Sequence, residues 1–187
     1  MSQNTQHQIG SITLEKSLLD RAKKNDQEAI STMFSQFLCP DEQIFYICYL
    51  GTQGMWGLGK KSFACLTNRR ICSLQVGAFG EIVFQDGYLE QSNGGIVFQP
   101  DLLTLYLMVF IYCISAVVFT FGLGLLLLPF VVQLYYRYKK CGLVWVIKEG
   151  VSVYVFCNRK KLIFANDLYR TVGEVREQRM LQFGSKI

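Results

Sequence analysis

The sequence predicts an α+β membrane protein. It comprises an antiparallel sheet of about seven strands with a C-terminal helix, interrupted by a two-helix transmembrane hairpin and preceded by a helical pair. Three observations carry this expectation. Apolar residues make up 51% of the 187 positions and charged residues only 18%, against roughly a quarter charged in ordinary soluble domains. The run from Leu102 to Tyr136 contains no charge at all. On both sides of that run, short stretches rich in aromatic and β-branched residues alternate with turn signals, the pattern of strands.

Residues 1–11 form a polar tail that holds the sole histidine, His7. Residues 12–38 predict a helical pair. Thr13 to Lys24 places Leu14, Leu18 and Ala22 on one face, and Asn25-Asp26 then breaks the helix. Asp26 is suited to cap the second helix, which runs to about Leu38. Its apolar stripe is Ala29, Ile30, Met33, Phe34 and Phe37. That stripe fits either packing onto the β domain or presentation to a partner.

Residues 40–99 predict the first part of the β domain. Glu42 to Leu50 reads as a strand, followed by Ser62 to Thr67 and Arg70 to Val76, joined by a tight turn at Thr67-Asn68-Arg69. Glu81 to Phe84 and Tyr88 to Gln91 are separated by Asp86-Gly87, a strong hairpin-turn pair, and Ile96 to Gln99 supplies a further strand.

Residues 100–140 predict the membrane hairpin. A spanning helix needs ~20 apolar residues, so a single helix through this run would be too long and two would be short. Phe121-Gly122-Leu123-Gly124 offers the fold-back point, Pro100-Asp101 a helix start, and Pro129 a kink. Tyr135, Tyr136 and Tyr138 read as an interfacial aromatic belt, with Arg137, Lys139 and Lys140 as cytoplasmic anchors. One long span and a buried helical hairpin within a water-soluble core are the competing readings.

Residues 141–182 predict the second part of the β domain. Leu143 to Lys148 and Val151 to Phe156 flank Glu149-Gly150 as an antiparallel hairpin, and Ala165 to Met180 is helical, with Leu168, Val172, Val175 and Met180 on one side. Two strands alone are marginal in water. The downstream pair therefore needs the upstream sheet, both halves must lie on one side of the bilayer, and the number of crossings must be even. This places an integral membrane protein with both termini cytoplasmic.

The string Phe63-Ala64-Cys65-Leu66-Thr67-Asn68-Arg69-Arg70-Ile71 resembles a segment of bacterial pleckstrin-homology-like domains. The resemblance covers residues 40 to 182 without the hairpin. It implies a strongly bent seven-stranded antiparallel sheet capped by a C-terminal helix.

Chemistry is sparse. The formal charge of +5 suits an anionic membrane surface and is too diffuse to indicate nucleic acid. Seven cysteines, an odd number without a C-x-x-C, argue against a disulfide framework or a zinc knuckle. No arrangement supports catalysis, a metal or a cofactor. Gly54 to Lys60 matches G-x-x-x-x-G-K, but Lys61 replaces the magnesium-binding hydroxyl and a strand follows instead of a helix. Cys65 and Cys72 lie on adjacent predicted strands and could be neighbours.

The candidate site is a lipid-facing set of loops. Met55 and Trp56 suit the bilayer interface, and Lys60, Lys61, Arg69 and Arg70 suit anionic headgroups. Arg159, Lys160 and Lys161 form a second basic run. The expected function is a membrane-anchored scaffold or adaptor that presents a cytoplasmic surface, an open sheet edge or the N-terminal helices, to a membrane-associated protein partner beside the lipid bilayer. The alternatives are a sensor of anionic lipid headgroups and a small subunit of an oligomeric membrane complex.

Overall fold

A computed structural model gives the architecture for residues 14–53, 59–120, 132, 141–148 and 150–184. Two short helices, α1 (Lys16–Ala22) and α2 (Gln27–Ser35), lead into β1 (Ile44–Gln53), β2 (Lys60–Thr67), β3 (Arg70–Val76), β4 (Ile82–Tyr88) and β5 (Ser92–Phe98). Helix α3 (Leu102–Thr120) precedes β6 (Cys141–Ile147) and β7 (Val153–Cys157), and α4 (Leu162–Gly184) closes the fold. The seven strands form two antiparallel sheets, ordered β1-β2-β3-β4 and β5-β6-β7.

Local chemistry explains the first turns. Asn25 takes a positive φ of 64° and ends α1, while its side-chain oxygen accepts from the Tyr49 N–H at 2.9 Å. The Asp26 carboxylate accepts from the N–H groups of Glu28 and Ala29 at 3.1 and 3.2 Å, which starts α2. Between β2 and β3, the Thr67 hydroxyl oxygen accepts from the N–H groups of Arg69 and Arg70 and fixes the tight turn. In β1 the register shifts between Tyr49 and Gly51. Gly51 has φ +101°, and a Cβ there would lie 2.7 Å from that of Asn158. Glycine is required twice over, once by the angle and once by the close approach of the chain that leaves β7.

The four-stranded sheet is buried on both faces. Cys48, Leu50, Ala64, Leu66 and Ile71 point inward to Leu143, Trp145, Val153 and Val155 of the second sheet and to Ala165, Leu168 and Val172 of α4. The alternate residues Ile47, Tyr49, Phe63, Cys65, Cys72 and Leu74 point outward to Ala29, Ile30, Met33 and Phe34 of α2. The α2 stripe is thus consumed by the sheet, and β2 and β3 read as near-continuous buried runs because helices and a sheet cover opposite faces.

Asp86-Gly87 does not turn. β4 runs straight through both residues as the register partner of β3. A Cβ on Gly87 would sit 2.7 Å from Ile147 Cδ1 and 2.8 Å from Val153 Cγ2, so the glycine lets the sheets approach. Asp86 faces the other way and pairs with Arg70. The chain turns later, through a 3-10 turn at Leu89–Gln91. In α4, Leu168, Val172 and Val175 are buried as expected, whereas Met180 is 65% exposed.

The membrane expectation is corrected. Among the described residues no helix is long and apolar enough to cross a membrane. Helix α3 takes in nineteen residues of the uncharged run, which extends from Leu102 to Tyr136. They include Thr104, Tyr106, Tyr112, Ser115 and Thr120, which interrupt its apolar sequence. The architecture of the described residues is therefore α+β with two antiparallel sheets and a C-terminal helix, and no transmembrane hairpin is found among them. The integral-membrane placement with cytoplasmic termini falls with it. The predicted fold-back at Gly122 and Gly124, the kink at Pro129 and the anchors Tyr135, Tyr136, Arg137, Tyr138, Lys139 and Lys140 lie outside the described residues. The halves on either side do meet: Phe98 of β5 is the register partner of Gly142 of β6, so the chain leaves the sheet and returns at neighbouring positions.

Candidate functional site

The predicted basic residues do not converge. Lys60 donates to Glu81 at 2.6 Å, which ties the start of β2 to the loop before β4. Lys61 is the next residue along the strand, and its side chain takes the opposite face of the sheet. There, burial and then the charge of Lys23 lower its pKa from 10.5. Arg69 pairs with Asp41.

Arg70 is nearly buried among Glu42, Asp86 and the Phe37 carbonyl oxygen. Burial works to lower its pKa, but hydrogen bonds to the two carboxylates more than offset that and hold it above 12.5. Arg159 donates to the Pro100 carbonyl oxygen at 3.1 Å, Lys160 is exposed, and the Lys161 ammonium sits 4.8 Å over the Phe164 ring. Met55 and Trp56 lie outside the described residues.

A different surface stands out on the three-stranded sheet. Its inner face carries Leu143, Trp145, Val153 and Val155 into the core. The register places Ile96 opposite Val144, Val144 opposite Tyr154, Phe98 opposite Gly142, and Gly142 opposite Phe156, with Val146 beside Gly94. These residues make up the outer face, and among the described residues of β5, β6 and β7 no charged side chain falls on it. Ile96 is 58% exposed, Tyr154 40% and Val146 38%. Tyr154 and Phe156 stack with ring centroids 5.9 Å apart, and Phe98 meets Phe156 edge-on at 6.1 Å. One face of an antiparallel sheet is commonly left to water and is then polar. A contiguous apolar face of this kind is a candidate binding surface.

The face ends at a sheet edge. β5 is the outer strand of its sheet, and Val97 on it is 42% exposed. Beside this edge lies Tyr169 of α4, which donates to the Gly95 carbonyl oxygen at 3.4 Å and whose ring lies 6.3 Å from that of Trp145. An extended segment could pair with such an edge through its backbone while its side chains meet the apolar face.

The expected nearness of Cys65 and Cys72 holds: they are direct register partners on β2 and β3. Burial pushes the Cys65 thiol up to about 12 and raises that of Cys72 further, so both stay protonated at neutral pH. The carboxylates of Asp26, Asp41, Glu42 and Asp86 serve as caps and ion-pair partners.

The outer-face residues were not singled out by sequence reasoning, although a signal exists. Val144 and Val146 interleave with Leu143, Trp145 and Ile147, so β6 lacks the polar alternation of a strand with one wet face. Comparison with protein-family models, with curated proteins and with solved structures finds no match.

Proposed function

We propose that this chain is a pleckstrin-homology-like interaction module, a scaffold that holds a protein partner on the outer face and β5 edge of its three-stranded sheet. The observation that carries the reading is the uncharged outer face formed by Ile96, Phe98, Val144, Val146, Tyr154 and Phe156. The resemblance of Phe63 to Ile71 supports it, together with a plan of two antiparallel sheets and a C-terminal helix. The basic loops are weaker carriers, because Lys60, Arg69 and Arg70 are each matched to a carboxylate. The partner is itself apolar where it docks, and backbone pairing along β5 sets its register.

The test compares Val146→Glu with Lys60→Glu/Lys61→Glu in the intact protein. A charge at the half-exposed Val146 leaves circular dichroism and melting unchanged, and it abolishes retention of a partner that the wild type holds stoichiometrically after cross-linking. The lysine variant keeps that partner. Retention of the same partner by the Val146 variant would sink the reading. So would a wild-type protein that holds no partner and instead floats with phosphatidylserine vesicles in a manner lost on changing the two lysines.

A further inference from the structure

Two pairs of cysteines face each other directly across antiparallel strands. Cys65 and Cys72 are partners on β2 and β3, and Cys141 and Cys157 are partners on β6 and β7. Directly opposed residues in an antiparallel ladder have Cα atoms about 4.5 or about 5.5 Å apart, with side chains on the same face. A disulfide needs a Cα separation of roughly 4.4–6.8 Å, which either spacing meets, and a Cβ separation of roughly 3.5–4.5 Å, so closing the bond draws the two strands slightly together.

The two pairs differ in where they sit. Both pairs are buried, Cys65 and Cys72 mid-strand under the N-terminal helices, and Cys141 and Cys157 at the margin of the core between the sheets. Cys141 is the first residue of β6 and Cys157 the last of β7, so together they form the terminal rung of the ladder. A terminal rung opens by local fraying, whereas a central one opens only when much of the sheet does. The surroundings also differ. Burial raises the Cys141 thiol above 9.0 and pushes the Cys157 thiol up to about 12, while the Arg159 charge works in the opposite direction on Cys141. Arg159 is itself held beside this rung by its bond to the Pro100 carbonyl oxygen.

We propose that Cys141 and Cys157 are a site of reversible thiol modification that takes a small-molecule disulfide of the glutathione class as its co-substrate. The Cys141 thiol loses its proton when the rung opens. Its thiolate attacks one sulfur of the small disulfide, forming a mixed disulfide and releasing one thiolate, which takes up a proton. The Cys157 thiol gives up its proton in the same opened state, and its thiolate attacks the Cys141 sulfur and displaces the second small thiolate, which takes up that proton. Two protein thiols and one small disulfide become one protein disulfide and two small thiols. The product staples the end of the sheet from which the uncharged segment departs, one residue from the Phe98–Gly142 pair.

The experiment exposes the reduced full-length protein to excess oxidised glutathione, quenches with acid, alkylates the remaining thiols and maps the peptides by mass spectrometry. Cys39 and Cys113 are exposed and report that the reagent is active. The expected result is a Cys141–Cys157 link that dithiothreitol reverses, with Cys65 and Cys72 still alkylated. In Cys157→Ala the glutathione adduct stays on Cys141, because no second thiol resolves it. The stapled protein melts several degrees above its reduced form. Three outcomes would overturn the proposal. One is modification of Cys39 without the link. The second is a stable adduct on wild-type Cys141. The third is linking of Cys65 to Cys72 at the same rate, which would mean that the whole sheet opens.

Discussion

Arg70 keeps its charge with 11% of its side chain exposed, and Glu42 opposite it with 2%. Its guanidinium also reaches Asp86 and the Phe37 carbonyl oxygen, so one side chain joins the segment after α2 to β4. Arg69 is its sequence neighbour, but it pairs with Asp41 across a surface where the two side chains are 43% and 60% exposed. Removing one partner of a buried ion pair strands the other, whereas an exposed pair contributes little. Arg70→Met is therefore expected to cost about 3–5 kcal/mol in urea unfolding, and Arg69→Met less than ~1 kcal/mol. Adding Glu42→Gln to Arg70→Met should restore part of the loss. Equal costs for the two arginines would contradict this division. In the sequence the pair reads as one basic patch beside Asn68. Only the end of the turn and the start of the strand separate them, since residue 69 stays in the turn while residue 70 enters the ladder opposite Tyr88.

At the scale of elements, local signals were legible where local chemistry decides the outcome. The Asp26 cap, the turn after Thr67 and the apolar stripe of α2 all form as the residue types dictate. Asp86-Gly87 failed because the same dipeptide serves two tertiary needs, a carboxylate for Arg70 and a gap for Ile147, which no local rule contains. The cap itself gives a pH test. The Arg21 guanidinium first, and then the Ala29 and Glu28 N–H groups, hold the Asp26 carboxyl below its ordinary 3.8. A depressed carboxyl pKa stabilises the fold above 3.8, and the contribution is lost as pH falls through the lower folded value. Asp26→Ala should lower the melting temperature by a few degrees near neutral pH. The gap between variant and wild type should close as pH drops below 3.8. A gap that is constant with pH would show that the carboxylate is not what caps α2.

Among the described residues the helical pair, the four-stranded sheet, the three-stranded sheet and α4 form a stack in which each covers a neighbour. Its strand content and the meeting of the two halves were legible because alternation and turn residues persist on both sides of the uncharged run. The membrane reading failed for a different reason. A run without charge measures aversion to water, whereas crossing a bilayer also demands length, and among the described residues no helix has enough of both. The same stack packs the second N-terminal helix against the four-stranded sheet. Ala29, Ile30, Met33 and Phe34 are fully or almost fully buried against Phe63, Cys65 and Leu74. If the pair were a detachable arm for partners, deleting residues 1–38 would leave the remaining domain folded, with its melting temperature unchanged. If it is one layer of the core, the deletion bares the outer face of β1 to β3, each large side chain losing about 1.5–3 kcal/mol of burial. The deletion variant is then expected to bind a hydrophobic dye strongly and to lose its cooperative thermal transition. A sharp, wild-type-like transition in that variant would return the helices to the role of a binding arm.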